Sequence, residues 1–211
     1  GRGLAFFFTR MPDLGLQEEF SEVEFIVPRS VVLATDIFEN FIERNSLSHF
    51  VHEEHPDSVV NSAFLAGTFS DDILDELRGL LSHFTWPLAI RSSSLLEDAS
   101  HQPFAGVYAT HMIANNNDDV ETRLLRLQEA IKLVFASTYH RSSKAYVTAT
   151  ANSIEEERMA VVIQELVGRE INGNFYPHIS GAARSRNHYP VDPLKAEDGI
   201  AAVCIGLGRQ V

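Results

Sequence analysis

Helix-like and strand-like segments follow one another irregularly along this 211-residue chain, and that irregularity predicts an α+β fold of mixed or antiparallel sheet with packed helices. Three observations carry the prediction. Several segments keep apolar residues at helical spacing; others are short β-branched runs; and the two kinds do not form the regular strand–helix–strand repeat of a doubly wound sheet. Hydrophobic residues make up 45% of the chain, enough for one large core or two small ones.

The elements are read in order. Residues 3–16 read as a helix and its exit, with Gly15 as the residue that ends it. Residues 23–35, VEFIVPRSVVLAT, give one or two short strands, interrupted at Pro28. Thr35 and Asp36 suit the start of a helix through Arg44 whose apolar face is Ile37, Phe38, Phe41 and Ile42. Residues 46–58 read as polar loop or short helix. Ser70 precedes a helix over 71–84, with Ile73, Leu74, Leu77, Leu80 and Leu81 on one side. A strand follows at 87–91, then a strand or hairpin at 104–113. The run NNNDD opens a long helix over 119–139, and MAVVIQELV (159–167) reads as a buried strand. Further strands fall in 173–185 and 199–208.

Composition excludes several function classes. A formal charge of −12 repels phosphate backbones, so nucleic acid is not the expected partner. The apolar runs are far shorter than the ~20 residues that cross a bilayer. Cys204, the single cysteine, sits in an apolar run and reads as an inert buried thiol. With no disulfide framework and no sign of export, a cytoplasmic location is the expectation. Both ends read as interior to elements, so a truncated fragment of a longer protein is expected, with the rest of the parent chain as its partner.

The most informative stretch is PLAIRSSSLLEDASHQPFAGVYAT, residues 87–110. An apolar strand ends on Arg91, whose fork of donors suits bidentate contact with a phosphate. Ser92, Ser93 and Ser94 add hydroxyls, and Gly106 permits close approach of backbone to a ligand. This pattern reads as a polyphosphate site; the alternative is Arg91 paired with Glu97 or Asp98 at a strand end. No P-loop consensus occurs.

The segment LAIRSSSLLEDASHQPFAG resembles the VRSSATAEDLPDASFAG pattern of phosphoenolpyruvate synthase, a family grouped with pyruvate phosphate dikinase and rifampicin phosphotransferase. The resemblance runs in register along the chain: AIKLVFASTYHRSSKAY, MAVVIQELV, NFYPHISGAARS and GLGRQV each sit where the family has a related motif. It implies an ATP-grasp-like nucleotide-binding domain, with a first subdomain over about 1–158 and the start of a second over 159–211. It implies ATP as ligand, with Arg91 on the transferred phosphate. Ser92, Ser93, Phe104, Ala105, Gly106 and Thr110 would lie in the loop over the phosphates. Gln164, Glu165, Leu166 and Val167 would line the adenine pocket. It further implies phosphoryl transfer onto a histidine of a swivelling domain and then pyruvate, with magnesium held by residues outside this chain; on that reading the fragment alone is inactive. The chain departs from the family where Ala109 replaces an acid and Arg209 replaces the glutamate of GLGE. Those departures leave a second reading open, a non-catalytic nucleotide-binding regulatory module.

Two other constellations read as ordinary structure. His49, His52 and His55 do not form a metal-binding helix motif, and Pro56 follows them directly. Ser143 and Lys144 lack the companion motifs of a serine–lysine nucleophile.

Overall fold

A computed structural model of the chain describes residues 2–94, 97, 106–149, 153–154 and 157–207. The chain divides into two compact units, residues 1–166 and 167–211.

In the first unit, helix α1 (Arg2–Arg10) runs into a 3₁₀ turn (Met11–Leu14), and Gly15 ends it in the left-handed region at φ 62°, as the sequence suggests. Helix α2 (Leu16–Glu19) follows, and Phe6, Phe7 and Phe8 of α1 stay exposed. Residues 23–29 form no regular strand; only β1 (Ser30–Leu33), after Pro28, joins a sheet. Helix α3 (Thr35–Arg44) buries Phe38, Phe41 and Ile42, the face its spacing predicts.

A helix the sequence did not suggest, α4 (Asp57–Ala66), comes next and buries Val60 and Phe64. Helix α5 (Asp71–His83) then buries Leu77 and Leu81; the Ser70 side chain makes no cap hydrogen bond. The strand after it, β2 (Leu88–Ser94), runs three residues further than expected, because Ser92, Ser93 and Ser94 all pair with a neighbouring strand. Strand β3 (Thr110–Ile113) and the long helix α6 (Val120–Ser137) follow. The Asp119 carboxylate accepts from the Glu121 and Thr122 N–H groups, so α6 is capped by its own sequence. Helix α7 (Arg141–Ala149) and strand β4 (Met159–Glu165) complete the unit.

The four strands form one antiparallel sheet in the order β1-β4-β2-β3. Strand β4 lies between β1 and β2, inside the first unit; the sequence had opened the second part at 159. Helix α6 packs on the sheet and touches α4 and α5 as well. The core is an aromatic cluster sealed by the sheet. Phe38 meets Phe135 edge-on at 5.1 Å, and Phe41 lies 4.8 Å from Phe69. Leu88, Ile90, Met159 and Ile163 close it from the strands.

The second unit is built of two hairpins. In one, β5 (Arg169–Ile171) pairs with β6 (Asn174–Tyr176) across Asn172 and Gly173, at φ 53° and 77°. Two successive positive φ angles give the two-residue turn whose twist matches antiparallel strands, and Asn-Gly is its favoured sequence. In the other, β7 (Ile179–Arg184) pairs with β8 (Ile200–Ile205). Cys204 in β8 is half-buried rather than buried as expected. The region 173–185, expected to be strand, holds two, β6 and β7, separated at Pro177 and His178. Among the described residues, no helix is long and apolar enough to cross a membrane.

Candidate functional site

Strand parity decides which side chains can meet a ligand. Successive residues of a strand point to opposite faces, and directly paired residues share a face. One face of the four-stranded sheet carries Leu33, Ile90, Val161 and Ile163 and is covered by the helices. The other face is open at its margins among the described residues, where Val32, Met112, Arg91 and Thr110 are exposed. Its residues fall into cross-strand rows: Ser30–Gln164–Ala89–Met112, then Val32–Val162–Arg91–Thr110, then Ala160–Ser93. Val32 and Met112 are exposed at its margins, while Ala89 and Val162 are buried at its centre. The result is an apolar floor with Arg91, Ser93 and Thr110 toward one end and Gln164 and Ser30 toward the other.

Arg91 is exposed on this face, and among the described residues it makes no ion pair. The pairing with Glu97 that the sequence left open is not formed. The Glu97 carboxylate instead accepts from the Ser92 hydroxyl at 2.9 Å and from the Ser94 N–H at 3.0 Å. Asp98 lies outside the described residues. Thr110, exposed, sits directly opposite Arg91 on β3.

The remaining predicted residues divide by parity. Ser93 lies on the open face beside Arg91, whereas Ser92 lies on the helix side, bonded to Glu97. Gly106 is exposed at φ 82°, a conformation that side chains rarely adopt. Phe104 and Ala105 fall outside the described residues. At the other end, the Gln164 amide donates to the Ser30 hydroxyl at 3.2 Å on the open face. Glu165 is engaged elsewhere: Arg29 donates to both its oxygens, at 2.7 and 2.6 Å, and the guanidinium lies 5.2 Å from the centre of the Phe84 ring. The Leu166 N–H donates to the Pro87 carbonyl at 2.8 Å, and Val167 is exposed. The structure thus brings Arg91, Ser93, Thr110 and Gln164 onto one surface, where Gln164 is bonded to Ser30, while Ser92 and Glu165 are bonded to Glu97 and Arg29.

The sequence missed Ala89, Val162, Val32 and Met112 as the floor; alternation counted from Arg91 along β2 finds Ala89, whereas the other three come from neighbouring strands. It also missed a buried polar group beside the strand end. The Tyr108 hydroxyl donates to Glu157 at 3.0 Å, and both are almost fully buried. Burial pushes the Glu157 carboxyl above its ordinary range, with the charge of Glu97 adding to the rise. No local sequence signal links residues 49 positions apart.

The other constellations resolve as ordinary structure. His55 pairs with Glu53, and the His49 ring packs on Phe50. The Ser143 hydroxyl donates to the Ser137 carbonyl, and the Lys144 ammonium donates to the carbonyls of Phe50 and Glu53, so these two are not a nucleophile and its base. Among the described residues no group of three or more histidine, cysteine or carboxylate side chains is placed to hold a metal.

Residues 13–211 match the family described as pyruvate phosphate dikinase, AMP/ATP-binding domain. The chain is also 28% identical, over 153 residues and 71% of its length, to the "Uncharacterized phosphotransferase YvkC" of Bacillus subtilis (strain 168). It spans 17% of that protein's length.

Proposed function

This chain belongs to the family of pyruvate phosphate dikinase AMP/ATP-binding domains, and from that premise we propose that it binds ATP on the open sheet face and presents the γ-phosphate for transfer. One observation supports this reading: Arg91, with no ion pair among the described residues, shares a cross-strand row with Thr110 on the sheet face opposite the helices, and both side chains are exposed. The strand fixes the position of the Arg91 backbone, and from there its charge-assisted donors can reach phosphate oxygens. The apolar floor of Val162 and Ala89 suits the uncharged part of the nucleotide, and Gln164 offers an amide at the far end.

Arg91 would neutralise charge on the phosphoryl group as it leaves, which is the main task of a phosphotransfer site. Thr110 would add a hydroxyl donor from the facing strand. Magnesium, which the resemblance implies, would be held by residues outside this chain; among the described residues no group of three or more histidine, cysteine or carboxylate side chains is placed to hold it. The family description and the relative's name as a phosphotransferase support phosphoryl transfer from ATP; by the family resemblance alone, the acceptor in the full-length protein would be a histidine of a swivelling domain and then pyruvate.

The test is calorimetric titration of the full-length protein with ATP and with adenosine, joined to an ATP-dependent phosphohistidine assay. ATP binding that is tighter than adenosine binding, with label transferred from the γ-phosphate, is the expected result. Absence of ATP binding overturns the proposal.

A further inference from the structure

Two carboxyl groups lie on the helix side of the sheet, behind the nucleotide face, where no ligand on that face can touch them. They sit at the two ends of the segment that leaves β2 and enters β3. At the β2 end, Glu97 closes a compact ring. One carboxylate oxygen accepts from the Ser92 hydroxyl, the other accepts from the Ser94 N–H, and the Glu97 N–H donates to the Ser94 hydroxyl oxygen at 3.3 Å. At the β3 end, Tyr108 donates to Glu157, and the next residue, Ala109, donates its N–H to the Ser137 hydroxyl of α6 at 3.1 Å. The two ends meet at β4: Ser94 pairs directly with Met159, two residues after Glu157, in the β2–β4 ladder.

A polar group of this kind is a poor way to stabilise a core. Ser94, Tyr108 and Glu157 are each at most 5% exposed. Burying a carboxyl costs more than burying an apolar side chain of the same size, even when it is hydrogen-bonded. What such a network supplies is direction: each donor and acceptor accepts only one arrangement of its neighbours. The arrangement fixed here is the one that sets Arg91 and Thr110 opposite each other, since Arg91 immediately precedes Ser92 and Thr110 immediately follows Ala109.

We propose that Glu97 and Glu157 are positioning residues, which staple the end of β2 to the entry of β3 from behind and so hold Arg91 and Thr110 in register against the phosphates of a nucleotide. The inference rests on the nucleotide-binding reading given above. It implies that the staple governs phosphate contacts and leaves contacts with the base alone.

The experiment uses the full-length protein with Glu97→Leu, Glu97→Gln and Tyr108→Phe. Hydrogen–deuterium exchange is read over residues 88–94 and 106–113, and affinities are measured for ATP and adenosine. Glu97→Leu should raise exchange in both segments together and weaken ATP by about tenfold or more while adenosine changes by less than about twofold, as expected for loss of charge-assisted positioning. Glu97→Gln should restore ATP affinity to within about threefold, because its carbonyl accepts from Ser94 and its amide donates to Ser92, replacing both bonds. Tyr108→Phe, which keeps the ring volume and removes only the hydroxyl, should show the same split between ATP and adenosine. Unchanged exchange in both segments, equal losses for the two ligands, or a Gln variant as poor as the Leu variant would each overturn the staple while leaving nucleotide binding intact. A wild-type protein that binds neither ligand overturns the nucleotide reading itself, and this inference with it.

Discussion

Replacing Arg91 by methionine removes the guanidinium and keeps most of the aliphatic cover over its neighbours Val162 and Thr110. The side chain is exposed and makes no ion pair among the described residues. The change should therefore move folding stability by no more than about 0.5 kcal/mol, as for most surface substitutions. Its effect on ligand is different. A hydrogen bond to a charged group contributes about 1.5–3 kcal/mol, which corresponds to a loss in ATP affinity of roughly 10- to 150-fold. Adenosine carries no phosphate and should bind as before. Titration of wild type and variant with ATP, ADP, AMP and adenosine gives a graded series, and the penalty should grow with the number of phosphates. An equal penalty for adenosine would place Arg91 in general packing, and no penalty for ATP would remove it from the phosphate site. A large fall in melting temperature would show that Arg91 holds the sheet together, against the geometry of the open face.

Four further outcomes follow from the packing. Phe135→Ala, in the centre of the aromatic cluster at 0% exposure, should cost about 3–5 kcal/mol in denaturant unfolding; a loss under about 1 kcal/mol would mean the cluster is loosely packed. Asn115 sits at φ 52°, donates to the Phe84 and Trp86 carbonyls and accepts from Arg123, so Asn115→Ala should destabilise by about 2 kcal/mol or more, measured in the same way. Because burial raises the Glu157 carboxyl in the folded chain, its ionisation opposes folding: stability is full below the ordinary carboxylate range and is lost as pH rises toward the raised value. Glu157→Gln cannot ionise, so its melting temperature should gain on wild type as pH rises above the ordinary carboxylate range, and a constant difference would contradict the assignment. In β7, a Cβ on Gly181 would lie 2.6 Å from the Ala202 carbonyl oxygen, so Gly181→Val should open the β7–β8 hairpin and raise amide exchange at 200–205 while exchange at 159–165 stays unchanged.

The helices were largely legible because amphipathic spacing is a local property. Ile37, Phe38, Phe41 and Ile42 mark one face of α3 before any partner is known, and Asp119 caps α6 with its own carboxylate. Helix α4 escaped because its first turn has no side-chain cap and its apolar residues mark no clear stripe; Val60 and Phe64 become core through packing against α6. Arg91 at a strand end and the RSSS segment were visible, as was the family resemblance those residues carry.

What the sequence by itself determined is therefore the set of elements and the chemistry available near Arg91; what the tertiary structure decided is which of those groups face outward. Leu88, Ala89 and Ile90 are all buried, so their hydrophobicity does not reveal which of them point toward the helices. That choice is made when β4, about seventy residues further along, inserts between β1 and β2 and helices cover one face. Strand period is two, so this single event sends Arg91 and Ser93 to the open side and Ser92 to the side where Glu97 waits. Parity is a relation between a strand and whatever packs on it, and no stretch of sequence read alone contains its partner.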